Sequence, residues 1–287
     1  MAGDMRLIAA LMLCILCAAP MAEAADAAKA GGTELIEVTA DQSLEWYQAQ
    51  RLYVARGKAK AVRDAMTVEA DTLVAQERDK KADKPKAAIA SGGQSLGGGD
   101  IQRLTAEGNV HIYDQRQQVF GDKAVYDADK RVAQVTGANL KYTTDKDVVT
   151  ARDMLEYYQD SALAVARGQA VAVHEGRHVE GDVLTASFTE SKTGQMDLEK
   201  LTAEGHVVVV TANDVARGNK AVYDVRANVA VLTGAVRVTR ADGTQLTGDV
   251  ATVDLAKGES QLLNQGTGRV RALLGKKADM PAKGKAP

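Results

Sequence analysis

Apolar side chains recur at every second position along much of this chain. Val110 and Ile112 are followed by Ala124 and Tyr126, and the order returns as Val207 and Val209, then Ala221 and Tyr223. A period of two places such groups on one face of a β-strand. Polar clusters such as Asp114-Gln115-Arg116 and Asp127-Ala128-Asp129-Lys130 separate the segments and predict tight turns. The pattern predicts an all-β chain of about 14 to 16 short strands. Helix is expected only in the amino-terminal segment, with a short piece over 42–50, where Ser43-Leu44-Glu45-Trp46-Tyr47 permits it.

The strands come in repeated units. Residues Gly108 to Gly137 and Gly205 to Gly234 align without a gap, each entered through Leu-Thr-Ala-Glu at 104–107 and 201–204. Inside both, Gly-Asp/Asn-Lys-Ala-Val-Tyr-Asp begins at the same offset, at Gly121 and Gly218, and both close on Thr-Gly. Fainter copies start at Gly57, Gly137, Gly168 and Gly234, a spacing of roughly 30 residues that implies stacked units sharing one core. An apolar face repeated in this way must be covered, and two opposed sheets, a jelly roll or a β-solenoid all achieve it.

Residues 1–24 carry Arg6, the apolar stretch Leu7 to Ala19, Pro20 and the small-x-small site Ala22-Glu23-Ala24, the pattern of a cleaved export signal. Cys14 and Cys17 lie inside it, so the mature chain is expected to hold no cysteine and to rely on packing and backbone pairing. Without the charges of that segment the formal net charge moves from −2 to −1, which supplies no field for nucleic acid. Residues 76–100, charged and then glycine-rich, are expected to form a disordered insertion, and the basic segment 275–287 a solvated tail. The repeat domain is expected to occupy 34–270.

The Gly-Asp-Lys-Ala-Val-Tyr of 121–126, its echo at 218–223 and the Thr-Gly closures before Ala138 and Ala235 resemble the strand signature of the OstA-like (LptA) family of the bacterial lipopolysaccharide-transport machinery. The likeness covers most of 34–270. It implies an OstA-like open β-jelly roll, V-shaped, with two antiparallel sheets whose apolar interior shelters lipopolysaccharide acyl chains. It also implies a periplasmic bridge, without catalysis or cofactor, whose partners are an inner-membrane LptC-like component and an outer-membrane LptD-like component. Such domains join end to end in that family, which implies head-to-tail self-association. The insertion and the long body depart from the family's usual pattern.

Physically, an acyl chain gains roughly 0.8 kcal/mol per methylene kept from water, so carrying several across an aqueous space requires a continuous apolar cover. Alternation nominates the groove lining as Val110, Ile112, Ala124, Tyr126, Leu155, Tyr157, Leu184, Ala186 and Phe188. Val207, Val209, Ala221, Tyr223, Val236, Val238, Val253 and Leu255 continue it. The same residues also suit an ordinary sandwich core, and one bulge would flip every face beyond it. Tyr126, Tyr157 and Tyr223 fit a groove edge, with rings on hydrocarbon and hydroxyls in water. Asp122, Asp182 and Asp249, each after a glycine, are expected to serve turn geometry. The free edges are expected near Glu34 to Thr39 and Gly268 to Leu274.

His174 and His178 flank Glu175-Gly176-Arg177, where a solvated hairpin is expected and no metal site is assigned. The sequence holds no phosphate-binding loop of the Gly-x-x-x-x-Gly-Lys-Ser/Thr type. Two readings compete with lipid transfer. One is a structural or adhesive β-repeat that forms a surface layer or filament. The other is a polysaccharide-active enzyme, disfavoured because sugar sites display stacking aromatics and this chain has one Trp.

Overall fold

The computed structural model describes residues 36–78, 101–191, 196–257, 259–266 and 268–275. The expected export segment, nearly all of the expected insertion and the tail beyond 275 lie outside the described residues. Within them the chain forms eighteen strands and no helix. The first four are β1 (Glu37–Thr39), β2 (Ser43–Tyr47), β3 (Leu52–Arg63) and β4 (Met66–Glu77). Then come β5 (Ile101–Tyr113), β6 (Gln117–Asp127), β7 (Val132–Thr136), β8 (Leu140–Thr144), β9 (Asp147–Ala151) and β10 (Met154–Tyr158). The second half holds β11 (Leu163–His174), β12 (Arg177–Glu190), β13 (Met196–Val210), β14 (Asp214–Asp224), β15 (Val229–Arg240), β16 (Gln245–Asp254), β17 (Glu259–Leu263) and β18 (Arg271–Leu273).

All recorded strand pairings are antiparallel, as the alternation predicts. The strand number exceeds the expected range because the ladder splits at β1 and β2, β7 and β8, β9 and β10, and β17 and β18, whereas many other strands are longer than expected because short segments run together through bends rather than breaking. The helix expected over 42–50 is instead strand β2. Its Leu44 and Trp46 sit on one side and pair with Ala55 and Tyr53 of β3, a contact no local helical preference can replace.

The bends recur. Gly57-Lys58, Gly108-Asn109, Gly168-Gln169, Gly205-His206 and Gly234-Ala235 all carry two successive positive φ angles. The ladder skips each pair: Glu107 faces Lys123, and the next partners are Val110 and Gly121. Two extra residues on one strand oppose one on its neighbour, a bulge that re-aims everything beyond it. Side chains of the neighbouring strand, or of the connection beside it, fill the space beside these glycines. Asp71 sits against Gly108 and accepts from Asn109 Nδ2 at 2.9 Å, and Asp182 sits against Gly205 with its Oδ2 2.9 Å from His206 Nδ1. Asp122 and Asp249 accept backbone N–H groups from Ala138 and Gln265, so these aspartates hold turn and crease geometry.

The bends line up into a crease that folds one ladder into two facing sheets. In the middle the two sheets separate completely. Residues 123–127 of β6 pair with β7, whereas 117–120 pair with β8. β7 then pairs with β10 and β8 with β9, and both branches rejoin on β11. The ends are split in the same way, β1 and β2 on β3, β17 and β18 on β16. Ala106, Leu155 and Leu184 from one sheet and Ile112, Tyr142 and Ala172 from the other belong to one buried apolar cluster, so the sheets pack together along the crease.

A longer repeat overlays the short one. Residues 43–73 match 154–184 at an offset of 111, with Leu44-Glu45 and Tyr47-Gln48 answering Leu155-Glu156 and Tyr158-Gln159, and Val54-Ala55-Arg56-Gly57 answering Val165-Ala166-Arg167-Gly168. The split pair β9 and β10 is therefore the second copy of β1 and β2, and the chain is two units joined where β7 and β8 meet β9 and β10. On the outer side of that joint Glu156 is buried. Burial alone would raise its pKa, but donors from Arg167 at 2.7 Å, Gln134 at 3.0 Å and Tyr158 at 3.0 Å bring the carboxyl below its usual value.

Two predictions follow from this architecture. Ala at Gly205 meets both a left-handed φ and the Asp182 side chain, whereas Ala at Gly243 meets the same φ in open space. Gly205→Ala is expected to lose about 2–4 kcal/mol in urea unfolding and Gly243→Ala about 1. Equal losses would contradict the crease packing. A lowered native pKa means that the contribution of Glu156 is complete above the unfolded glutamate value and is lost as pH falls through the lower native value. Stability of Glu156→Gln is therefore expected to fall less than that of the native chain between about pH 5 and pH 3. Parallel acid limbs in chemical denaturation would contradict the clasp.

Candidate functional site

The inner face of the folded ladder is a set of unbroken apolar rows. One row of directly opposed residues runs Leu44, Ala55, Leu73, Ala106, Ala124, Val135, Leu155, Ala166, Leu184, Ala203, Ala221, Leu232, Ala251, Leu262, from β2 to β17. Every member is Ala, Leu or Val. On the other sheet Val38, Ala61, Val68, Ile112, Val119, Tyr142 and Val149 begin an equivalent row. It continues through Ala172, Val179, Val209, Ala216, Val238, Leu246 and Ala272. The mixture of small and branched groups lets two sheets approach closely while leaving no polar interruption.

Farther from the crease lies an aromatic row. Trp46 pairs with Tyr53, their rings stacked with centroids 5.9 Å apart, and the row goes on through Leu104, Tyr126, Ala133, Tyr157, Ala164, Ala186, Leu201 and Tyr223. Tyr53, Tyr126 and Tyr223 donate their hydroxyls to Glu77, Gln159 and Asn228, at 3.1, 3.2 and 3.0 Å. Each ring faces the apolar side and each hydroxyl the polar edge. Burial raises the pKa of Tyr223, and the positive charge of Arg177, at the tip of the β11–β12 hairpin of the opposite sheet, opposes that shift.

All seventeen residues nominated from the sequence lie on this inner face. Eleven of them, including Val110, Leu155, Leu184, Val207 and Val236, are buried, so midway along the ladder the chain's own atoms cover the face. Tyr126, Val209, Ala221, Val238 and Leu255 are half-buried against the same clusters, and Val253 is intermediate. The face opens at its ends. Leu44 and Trp46 are 58% and 59% exposed at the β2 end, and at the other end Leu262 is half-buried and Ala272 exposed.

Sequence reading missed half of this surface. Ala55, Val119, Val135, Tyr142, Val149, Ala203 and Leu232 belong to the same rows; Val119 lies beyond the one-residue step at Asp122, and plain alternation is the signal for the others. It also misjudged His174. The Glu175-Gly176 turn is present, with both φ angles positive, but His174 is buried rather than solvated, its Nδ1 2.5 Å from Asp147 Oδ1. Asp147 is fully buried, and Thr144 donates to its other oxygen at 3.0 Å. Gln117 accepts from the Tyr142 hydroxyl at 3.1 Å, completing a polar border along the outer margin of the second sheet's inner face. The outer faces are charged instead: Lys123 and Lys220 pair with Glu107 and Glu204, each at 2.7 Å.

Such an arrangement presents a continuous apolar surface bordered by polar groups. Two apolar sheets share a crease, with an amphipathic aromatic margin on one side and a polar margin on the other. None of the curated proteins matches the chain. Among solved structures the chain is similar to LptH of Pseudomonas aeruginosa, titled the LptA-homologous periplasmic component of the conserved lipopolysaccharide transport device. Identity is 21%, with coverage of 45% of this chain and 94% of that chain, at a TM-score of 0.37. The family model described as LptA/(LptD N-terminal domain) LPS transport protein matches twice, over residues 37–162 and 153–259, and the overlap of the two matches contains β10, the first strand of the second unit in its sheet. Matched over most of its length and once for each half of its ladder, the chain belongs to the LptA/(LptD N-terminal domain) LPS transport protein family.

Proposed function

We propose that the chain is a periplasmic bridge that shelters lipopolysaccharide acyl chains on its inner face and passes them from an inner-membrane complex to an outer-membrane one. The observation that carries this reading is the continuity of the apolar rows, one of which crosses fourteen strands from Leu44 to Leu262. An ordinary core ends where it is full. These rows run to both ends, and at the amino-terminal one Leu44 and Trp46 face solvent. Membership of the transport family and the two tandem matches support it further.

In this reading lipid enters at an open end, and the two sheets part about the crease to admit it where the face is now closed. Acyl chains replace the contacts that the sheets make with each other, so the exchange trades apolar contact for apolar contact and leaves little net barrier beyond ordering. The aromatic row meets the boundary between acyl chains and sugars, rings on hydrocarbon and hydroxyls outward. Sugars and phosphates stay in water, near the Arg177 side of the mouth. The chain supplies no catalysis and no energy. LptC-like and LptD-like components and further copies are the partners at its two ends, where β1 with β2 and β17 with β18 have unpaired edges among the described residues.

Photoreactive groups at Tyr126 and Tyr223 are expected to label lipopolysaccharide in cells, whereas groups at Lys123 and Lys220, on the outer face, are expected to leave it unlabelled. Equal labelling at all four would favour a structural repeat over a transfer groove. Leu184→Asp puts a charge into the buried row and is expected to cost several kcal/mol of stability. Val209→Asp, at a half-buried site of the same face, is expected to keep the fold and lower lipid binding about tenfold or more in a pull-down. Unchanged binding by folded Val209→Asp would contradict the assigned face.

A further inference from the structure

The joint inside the chain shows how its two free ends fit together. There β7 and β10 pair in the register Val135 with Leu155, Gln134 with Glu156 and Ala133 with Tyr157. Glu156 is the centre of a clasp on the outer side, held by Arg167 and Tyr158 from its own unit and by the Gln134 amide from the preceding one.

The amino-terminal edge repeats that clasp without its amide. Glu45, the counterpart of Glu156, lies 3.4 Å from Arg56 Nε and accepts from the Tyr47 hydroxyl at 2.5 Å and from Ser43 at 2.7 Å. Arg56 and Tyr47 are the counterparts of Arg167 and Tyr158. β2 pairs with β3 alone among the described strands, and on its inner side Leu44 and Trp46 stand open where Leu155 and Tyr157 are buried.

The carboxy-terminal edge carries the missing piece. β17 sits on β16 as β7 sits on β6. Leu262, Gln261 and Ser260 face Ala251, Thr252 and Val253, just as Val135, Gln134 and Ala133 face Ala124, Val125 and Tyr126. Gln261 thus occupies the place of Gln134, exposed and on the outer side. Ser260 is small where Ala133 is small, opposite the position of a large ring. β18 lies on β16 as β8 lies on β6, with Ala272 opposite Leu246.

We infer that Glu45 and Gln261 set the register and the partner of end-to-end joining. β17 of one copy pairs with β2 of the next, with Leu262 on Leu44, Gln261 on Glu45 and Ser260 on Trp46. The inference rests on the bridge reading for its biological setting, but its evidence is the joint already formed once within the chain. The Gln261 amide completes the clasp at Glu45, and Leu262 and Ser260 cover the open Leu44 and Trp46. Unlike ends meet, so the contact repeats without closing.

Sedimentation of the full mature chain tests the pairing. Gln261→Glu places a carboxylate against Glu45 and is expected to weaken self-association about tenfold or more. Glu45→Gln combined with Gln261→Glu exchanges the two groups and is expected to restore most of the loss. Gln261 is exposed, so thermal unfolding of the single variant should stay within about a degree or two of the native chain. Undiminished association of Gln261→Glu, failure of the exchange to rescue, or a native chain that stays monomeric at every concentration would each overturn the proposal. Labelling of lipid by the Tyr126 probe in the non-associating variant separates the two readings. Retained labelling leaves the lipid groove standing when the joint fails.

Discussion

Hydrophobic contact between the two halves of the same strands, folded onto each other along a crease, is the interaction on which the rest of this structure depends. A single antiparallel ladder with one apolar side cannot stay flat in water. It can cover that side with a second element or bend it against itself, and this chain bends. Each Gly-X pair supplies a bend that only left-handed backbone can make, and a carboxylate or amide from the adjoining strand or connection fills the space beside it. The crease then brings Ala106 and Ile112, on either side of Gly108, into one cluster. Cysteine plays no part among the described residues, so packing at the crease and backbone pairing carry the stability.

Much of this was legible because the signals are local. Period-two alternation identified strands, repeated glycines identified units, and Val110, Ile112, Tyr126 and Tyr223 were placed on a common face. What the sequence hid is how phase behaves at the bends. A Gly-X pair adds two residues and keeps the alternation of its strand, so Ala106 and Val110 share a face. The facing strand adds one, at Asp122, so Val119 and Gly121 lie inside with Ala124 and Tyr126, although a straight count of twos would put Phe120 there. Residues on the far side of each such step were therefore missed, Val119 and Ala216 among them. The helix expected at 42–50 failed because Leu44 and Trp46 answer to β3 across a turn, not to their own neighbours.

The 111-residue repeat escaped notice for a related reason. The best-matched glycine motifs are 97 residues apart, and the connection between β4 and β5 absorbs the difference, so the two halves do not align at one offset. His174 gave no signal at all: a histidine beside a Glu-Gly turn resembles any exposed hairpin residue, and only the arrival of Asp147 from β9 makes it part of a buried pair. Among the described residues, four of the six buried polar ones, Gln117, Asp147, Glu156 and His174, lie in the strands on either side of the joint between units. Where two repeats meet, apolar contact fits many registers, and hydrogen bonds select one.

In the proposed role, strands supply the walls of a lipid path whose length is set by the number of units, two of them fused in this chain. The account stands or falls on whether that inner face holds hydrocarbon. Mass spectrometry of the protein purified gently from its native host measures it directly. The account predicts lipopolysaccharide bound to folded protein and lost on unfolding, and folded protein free of lipid, with its ladder intact, would contradict it.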